Sequence, residues 1–346
     1  MKKAFKYIFF SIITIIMVLI IILSNDMNEI FNVLGSVNIL WLLLALLILL
    51  IYLFLNPLSL MLVLNTKKGE MRKKDKFMIG SIEYFFNGIT PSNTGAQPMQ
   101  VIEFSRFNID SSRSTGALLI NSTINQIVIV ILCLLSLIYY NELSKGIEAI
   151  QILIIVGLFL NILVLLLYIA IGCSKHIRNC LIKLVDFLFK LRIFKNKFSH
   201  IVAKFENYCI EAQNAFKESF NHKRKLLLAT ISKLLALLIF YSLPFFILKA
   251  LNIPISFKEI GVIIAMTTFS IAMTCFIPTP GASGGIEFAF QSLFVNLSGV
   301  TKSVAVSGMM LWRFITYYLL MIISLIIYLY LEYRIKKNKK RIQIEE

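Results

Sequence analysis

The sequence predicts an all-α polytopic membrane protein with about six full spans and two re-entrant broken-helix hairpins arranged as an inverted repeat. Of its 346 residues, 58% are hydrophobic, and apolar runs recur near the roughly 20 residues that a helix needs to cross a bilayer. Two segments rich in glycine, proline and small polar residues, Pro91–Pro98 and Pro278–Gly285, interrupt apolar stretches, one in each half of the chain. The basic residues are distributed as the positive-inside rule requires.

Six apolar runs are predicted to be full spans: residues 5–23, 39–64, 115–140, 150–171, 226–248 and 303–333. The first run lacks an A-x-A-like cleavage site before Ser24, so we interpret it as an uncleaved span rather than a signal peptide. A kink is expected in the second span because Pro57 removes one backbone donor. Lys233, within the fifth span, is expected to snorkel toward the cytoplasm.

The two interrupted segments are predicted to be re-entrant hairpins, at residues 77–107 and 259–298. The apolar pieces on either side of the first interruption are too short to cross about 30 Å as helices. If the second segment were a simple one-way span, the tail from Arg334 would lie outside despite its six basic residues. The second hairpin is therefore expected to enter from the external face, opposite to the first.

The two hairpins share a short sequence pattern, which suggests that they are copies of one element. Gly95-Ala96 is followed by Glu103-Phe104, and Gly281-Ala282 is followed by Glu287-Phe288. The spacing differs between the two copies, so chance similarity stays open as an alternative. Inverted repeats of this kind are common in transporters.

The predicted organisation has four parts. They are a first membrane half (1–171), a basic amphipathic cytoplasmic connector (172–225), a second membrane half (226–333) and a basic cytoplasmic tail (334–346). With both termini in the cytoplasm, only four of the 35 basic residues fall outside: Lys145, Lys249, Lys258 and Lys302. We therefore expect a multi-pass protein of the cell membrane with cytoplasmic N- and C-termini. The connector is interpreted as lying on the lipid surface, with a docking platform for a partner as the alternative.

Charge and composition indicate the class of partner. The formal net charge is +17, and because the charges follow topology they favour anionic membrane lipid over nucleic acid. The five cysteines include no C-x-x-C pair and are expected to be reduced, and the three histidines have no metal-ligand spacing. No nucleotide-binding G-x-x-x-x-G-K-[ST] motif is present. We expect no metal and no cofactor, and we assign no catalytic residue.

The two interruptions are where a binding site is expected, because irregular backbone at bilayer depth requires polar partners. Half-helix N-termini there would offer amide donors and the positive end of a dipole to a phosphate. The candidate lipid headgroup-binding residues are Asn93, Thr94, Gly95, Gln97, Glu103, Gly281, Gly284, Gly285, Glu287 and Arg313. A polar stripe on the third span, Asn121, Asn125 and Gln126, is expected to line the cavity or to bond a neighbouring helix.

Several of these residues have a structural alternative. For the glycines, the alternative is a role only in tight turns and close helix packing. Glu287 follows Gly284 by three residues, as an acidic residue does beside a helix cap. Glu103 is near enough to the cytoplasmic interface to reach water, and Arg313 is expected either to pair with Glu287 or to bind a phosphate.

The segments Pro-Ser-Asn-Thr-Gly-Ala-Gln-Pro from Pro91 and Pro-Thr-Pro-Gly-Ala-Ser-Gly-Gly-Ile-Glu from Pro278 resemble the two signatures of the lysylphosphatidylglycerol synthase transmembrane, or flippase-like, family. The resemblance covers nearly the whole chain. It implies internal pseudo-symmetry, movement of aminoacylated or polyprenyl-linked lipids between leaflets, and a link to antimicrobial peptide resistance. Gly95-Ala96 departs from the more usual Gly-Gly pair. Because the chain ends thirteen residues after Tyr333, we expect no acyltransferase domain.

The leading functional hypothesis is a membrane lipid translocase whose partners are anionic or aminoacylated lipids. Two alternatives stay open. One is a lipid-modifying membrane transferase, of phosphatidylglycerol lysyltransferase or glycosyltransferase type, and the other is a small-solute secondary transporter. A second copy of the chain or a separate lipid-modifying enzyme stays open as a protein partner.

Overall fold

The computed structural model of the protein describes residues 32–33, 35–66, 69–144, 148–190, 198–274 and 276–345. Within this part of the chain, five helices are long and apolar enough to cross a membrane: Ile39–Val63, Ser111–Tyr139, Ile150–Cys173, Lys223–Ala250 and Lys302–Lys337. They confirm five of the six predicted spans and the all-α polytopic class. The first predicted span, residues 5–23, lies outside the described residues.

We number the helices in chain order. They are α1 (Ile39–Val63), α2 (Lys73–Ser81), α3 (Glu83–Gly88), α4 (Ala96–Ser105), α5 (Ser111–Ser136), α6 (Tyr140–Ser144), α7 (Glu148–Cys173), α8 (Lys175–Lys190), α9 (Phe198–Ser219), α10 (Lys223–Ala250), α11 (Ile260–Ala272), α12 (Gly285–Phe294), α13 (Lys302–Arg313) and α14 (Leu320–Glu345). A π-helical turn, Phe314–Leu319, joins α13 to α14 within the last span. The most extensive packing between two helices of the described residues is that of α1 with α10.

Two hairpins of short helices lie among the spans, as predicted. The first consists of α2, α3 and α4, and the second of α11 and α12. The longest of these helices, α11, has 13 residues and is therefore only about 20 Å long, too short to cross a bilayer. The arms of each hairpin also pack against each other, so each hairpin enters and leaves on one side.

The two hairpins enter from opposite ends of α5, which is about 39 Å long at 1.5 Å per residue. The first hairpin ends at Ser105, only a short turn before α5 begins. The base of the second hairpin lies at the other end, where a Cβ on Gly261 would be 2.3 Å from the Tyr139 hydroxyl. Asn296, just after α12, also donates its amide to the Leu143 carbonyl at 3.4 Å. The predicted opposite insertion of the two hairpins follows from these contacts.

The loops at the tips of the hairpins are two copies of one turn, in a register that the sequence match did not predict. Turn 1 (Thr90–Gly95) and turn 2 (Thr279–Gly284) both begin Thr-Pro and both lead directly into a helix. In each turn the third and fourth residues have left-handed backbone. They are Ser92 (φ 52°) and Asn93 (φ 53°) in turn 1, and Gly281 (φ 59°) and Ala282 (φ 52°) in turn 2.

A hydrogen bond repeats in the same way, because the fifth residue of each turn donates its hydroxyl to the carbonyl of the second. Thr94 donates to Pro91 at 3.0 Å, and Ser283 donates to Pro280 at 2.7 Å. The structural equivalent of Gly95 is thus Gly284 and not Gly281. The predicted match of Gly95-Ala96 with Gly281-Ala282, and of Glu103 with Glu287, is corrected accordingly.

The two turns touch each other through equivalent residues. Pro91 and Pro280 form an isolated antiparallel β-bridge. When a residue pairs antiparallel with its own counterpart, the contact is self-complementary, as at a two-fold axis. The bridge therefore marks the local axis that relates the two hairpins.

The last span fills the break between α2 and α3. In a continuous helix, the Phe85 amide would donate to the Ser81 carbonyl. Here the hydroxyl of Ser324, on α14, lies between them, because it accepts from Phe85 at 3.0 Å and donates to Ser81 at 2.7 Å. A side chain inserted into the helical hydrogen-bond ladder is an established cause of a kink.

Ion pairs fix the outer end of the first hairpin to the end of the last span. Arg106, which follows α4, pairs with Glu103 at 2.9 Å and with Glu332 of α14. Arg334 of α14 pairs with Asp75 of α2, whose side chain is buried. Charge pairs therefore hold the hairpin where it leaves the bundle.

The connector contains the two predicted helices, α8 and α9. The second of them, α9, packs against the ends of α5 and α7. Phe216 is fully buried, and a Cβ on Gly172 would be 2.5 Å from its ring. Gln213 donates to the Ile171 carbonyl at 2.7 Å. The cytoplasmic location of the connector, of the tail and of both termini stays a prediction, as does the four-part division.

Cys173, Cys180 and Cys209 are free thiols, and Cys275 lies outside the described residues. In α9, burial raises the pKa of the Cys209 thiol, and the nearby Arg178 opposes the shift. A raised pKa keeps this thiol protonated at neutral pH and lowers its reactivity.

Candidate functional site

A polar cavity of about 600 Å³ lies beside turn 1, between α1, α3, α4, α5, α7, α10, α11 and the π-helical turn. Many of its lining side chains are amides, and an acid and a lysine are also present. Asn121, Asn161 and Lys233 each lie about ten or more residues inside their helices, which corresponds to at least about 15 Å. Since the hydrocarbon layer is roughly 30 Å thick, the cavity lies near the middle of the spans.

Lys233 forms one wall of this cavity together with Asn56 and Glu83. Lys233 is only 2% exposed, and its ammonium donates to Asn56 Oδ1 at 2.5 Å. The same amide donates through Nδ2 to the Glu83 carboxylate and, at 2.8 Å, to the Tyr84 hydroxyl. The expected snorkelling of Lys233 is therefore wrong. We call Glu83, Asn56 and Lys233 the charge relay.

The opposite wall closes around the broken end of α11. Asn161, on α7, donates to the carbonyl of Ala272, the last residue of α11, at 3.1 Å. Gln126 of α5 in turn donates to Asn161 Oδ1 at 2.7 Å. A carbonyl left free by a helix break near mid-membrane is thus paired with protein, as such depth requires.

The amides at the start of α4 are largely used by the chain itself. Gly95 donates its N–H to the Thr90 hydroxyl at 2.9 Å, and Ala96 donates to Asn87 Oδ1 at 3.1 Å. The side chain of Gln97 bridges to Ser122 of α5 at 2.7 Å. The predicted array of open donors at this helix start is accordingly smaller than expected, although Gln97 itself lines the cavity.

At turn 2 the structural alternatives are the ones observed. Glu287 accepts the Gly284 N–H at 2.7 Å, as a capping residue does, and lies 2.8 Å from Arg313 Nε. Arg313 also donates to the Gly281 carbonyl and to the Ser283 hydroxyl, both at 3.1 Å. The Glu287–Arg313 pair therefore holds turn 2 in place. A lipid-binding role for either residue stays a prediction.

Three of the four predicted glycines have no space beside them. A Cβ on Gly95 would lie 2.7 Å from the Phe86 carbonyl, one on Gly281 would lie 2.3 Å from the Tyr317 ring, and one on Gly285 would meet a neighbouring isoleucine. Gly284 faces open space. Close packing explains the first three glycines.

Tyr317 connects the two hairpins and also lines the cavity. Its hydroxyl donates to the carbonyl of Gly88, the last residue of α3, at 2.8 Å. Its ring packs on Gly281 and lies 4.4 Å from the Arg313 guanidinium. The residue belongs to the π-helical turn, a distortion that is frequent at functional sites.

The predicted residues thus divide into two groups. Those that line the cavity are Asn93, Gln97, Asn121, Asn125 and Gln126. Those that lie elsewhere among the described residues are Thr94, Gly95, Glu103, Gly281, Gly284, Gly285, Glu287 and Arg313. Glu103 is buried at the end of α4 in its pair with Arg106. Whether any of these residues binds lipid stays a prediction.

Sequence reasoning missed the charge relay. Glu83 lies inside the predicted hairpin but has no counterpart in the second copy, so the repeat did not select it. Lys233 lies about 15 Å inside α10, a depth that favours an internal partner over snorkelling. The depth of the lysine was therefore the available signal.

Fold and site together define a polytopic α-helical membrane protein with paired broken-helix hairpins beside a polar cavity, an architecture common among transporters. The model of the lysylphosphatidylglycerol synthase TM region matches residues 8–324, so the chain belongs to that family. It is also 28% identical over 248 residues to a UPF0104 membrane protein of Pyrococcus horikoshii, covering 69% of this chain and 71% of the relative. Membership in this family supports the multi-pass membrane location.

Proposed function

We propose that the protein is a lipid translocase in which a phospholipid headgroup crosses the membrane through the polar cavity while the acyl chains stay in the bilayer. The observation that carries the proposal is a cavity of about 600 Å³, polar and near mid-membrane, beside two oppositely inserted hairpins. This volume lies within the roughly 300 to 1,000 Å³ of ligand pockets, so a lipid headgroup fits.

The edge of the cavity suits a molecule that remains partly in lipid. Asn93, Gln97 and Phe276 line the cavity and are also exposed on the molecular surface. These residues therefore mark its mouth, where polar groups stand beside an aromatic side chain. A headgroup would enter here, and the rocking of the two related hairpins would expose it to either side in turn.

The test is lipid exchange in reconstituted vesicles. Purified protein is incorporated into liposomes with a trace of fluorescent phospholipid, and an impermeant quencher reports the rate of leaflet exchange. We expect wild-type protein to accelerate exchange. Asn125→Trp fills the cavity and is expected to return the rate to that of protein-free vesicles, whereas Ile131→Trp, on the exposed face of the same helix, should leave it unchanged.

Two results would contradict the proposal. One is exchange at the protein-free rate with correctly folded wild-type protein. The other is transport of a water-soluble solute that Asn125→Trp blocks while lipid exchange is absent. The second result would favour the small-solute transporter.

A further inference from the structure

The charge relay places opposite charges on one wall of the cavity with a single amide between them. Asn56 accepts from Lys233 through its oxygen and donates to Glu83 through its nitrogen. All three residues line the cavity. Because the acid and the base are bridged and not in direct contact, each presents its charge at a separate position along the wall.

Both charged groups have bonding capacity beyond the relay. A lysine ammonium has three donors, and Lys233 uses one of them on Asn56. A carboxylate accepts through two oxygens, and the contact from Asn56 engages Oε1 of Glu83. The wall therefore offers a donor site for an anion beside an acceptor site for a cation.

Asn121 adds an unpaired acceptor to the described residues that line the same space. Asn121 is 8% exposed and lines the cavity, and its Oδ1 is buried with no hydrogen-bond partner among the described residues. Native proteins rarely leave such an atom unpaired, so it calls for a donor from a bound molecule or from water. Aromatic rings are also at hand, because Tyr52 and Tyr84 lie beside Glu83 with their centroids 5.7 Å apart. Ring faces attract ammonium groups.

We infer that the cavity selects a zwitterionic headgroup that carries both a phosphate and a primary ammonium, of the phosphoethanolamine kind, with Lys233 holding the phosphate and Glu83 and Asn121 holding the ammonium. This inference rests on the proposed function. A purely anionic headgroup would satisfy Lys233 but would lie beside the Glu83 carboxylate without compensation. A zwitterion satisfies both ends of the relay at once.

The test compares headgroups in the same vesicles. Protein is reconstituted into phosphatidylcholine liposomes with a trace of acyl-chain-labelled phosphatidylethanolamine or phosphatidylglycerol. We expect phosphatidylethanolamine to exchange about tenfold faster or more, since one charged hydrogen bond accounts for such a factor. Glu83→Gln and Lys233→Gln should each reduce this ratio toward one. Lys249→Gln, on the same helix as Lys233 but at its far end near Trp41, should leave it unchanged.

A variant with an increased preference for phosphatidylethanolamine distinguishes headgroup selection from a loss of folding. Asn121→Asp places a negative charge at the free acceptor and is expected to raise the ratio further. If the charge relay had only a structural role, Glu83→Gln and Lys233→Gln would slow the exchange of both lipids equally. That outcome would overturn the inference. So would faster exchange of phosphatidylglycerol in wild-type protein.

Recognition of the headgroup without its acyl chains is tested with labelled glycerophosphoethanolamine trapped inside the vesicles. Its release without lipid exchange would overturn the proposed function but support the recognition of phosphate and ammonium. Lipid exchange that ignores the headgroup would support the proposed function and overturn the inference. The two failures are therefore distinguishable.

Discussion

Arg313 is a charged residue deep in a span whose contacts stabilise a neighbouring loop, turn 2. Its guanidinium meets the Glu287 carboxylate, the Gly281 carbonyl, the Ser283 hydroxyl and the face of Tyr317. Both charged side chains are about one-tenth exposed. Breaking a buried ion pair from one side leaves an uncompensated charge, which is more harmful than removing both partners.

The pair predicts a non-additive stability pattern. Glu287→Ala should destabilise the protein by about 3 to 5 kcal/mol, because Arg313 is left buried without its counter-charge. Glu287→Ala combined with Arg313→Met should lower the free energy of unfolding by less than the sum of the two single changes. We expect this difference to be about 1 to 3 kcal/mol. Unfolding in detergent, followed by intrinsic fluorescence, measures these differences.

The control for this cycle is the more exposed Arg113–Glu70 pair. Glu70→Ala should destabilise the protein less than Glu287→Ala, because an ion pair whose side chains are about a quarter exposed is partly screened by water. If the Glu287 and Arg313 changes add like independent sites, Arg313 is not held by Glu287.

At the scale of the element, each break in a helix is closed by a side chain from another span. Ser324 completes the break between α2 and α3, Tyr317 pairs with the end of α3, and Asn161 pairs with the end of α11. The backbone groups that these side chains bond are therefore satisfied without water. Their stability depends on the spans that supply these side chains.

This dependence predicts the effect of Ser324→Ala. Removing the hydroxyl leaves the Phe85 amide and the Ser81 carbonyl unpaired in a buried site, which should destabilise the protein by about 1 to 3 kcal/mol for each group. Hydrogen exchange measured by mass spectrometry should increase in peptides that cover α2 and α3.

Ser270→Ala is the matched control, because Ser270 is equally buried but its hydroxyl donates to the Met266 carbonyl within its own helix. Its removal leaves the helical ladder intact and should have little effect. Equal exchange in the two variants would refute the role assigned to Ser324.

At the scale of the whole molecule, the bridge between Pro91 and Pro280 predicts a cross-link. Proline has no N–H, so the two residues cannot form the hydrogen-bonded type of antiparallel pair. In the other type the Cα atoms are about 4.5 Å apart, which is within the range of a disulfide. Pro91→Cys with Pro280→Cys, made in a background without the native cysteines, should therefore cross-link on mild oxidation.

The cross-link is read as a single species on a non-reducing gel after the chain is cut by a protease in the connector. Two separate fragments would show that the turns do not meet. The pair Thr94→Cys with Phe276→Cys, which forms no such bridge, serves as the control.

Much of this architecture follows from the sequence, and the reasons differ by feature. The spans follow from hydropathy, and opposite insertion of the hairpins follows from the basic tail. The alternative reading of Glu287 as a cap paired with Arg313 also needed only local spacing. These features are encoded within one segment, or within the balance of charge between segments.

The missed features depend on tertiary packing or on backbone shape. The relay joins three separate segments through Asn56, Glu83 and Lys233, so no local pattern reveals it. The true register of the repeat was hidden because left-handed backbone is adopted by Ser-Asn in turn 1 and by Gly-Ala in turn 2. Matching the residue types paired glycines that are not equivalent, whereas matching the backbone conformations pairs equivalent ones.

The contact between Pro91 and Pro280 bears on how the molecule can move. If the two halves exchange their shapes during transport, every off-axis contact must break and re-form with its counterpart. A contact between equivalent positions maps onto itself and can persist in both forms. The two halves would then rotate about the paired prolines, and a disulfide at this position should not stop transport.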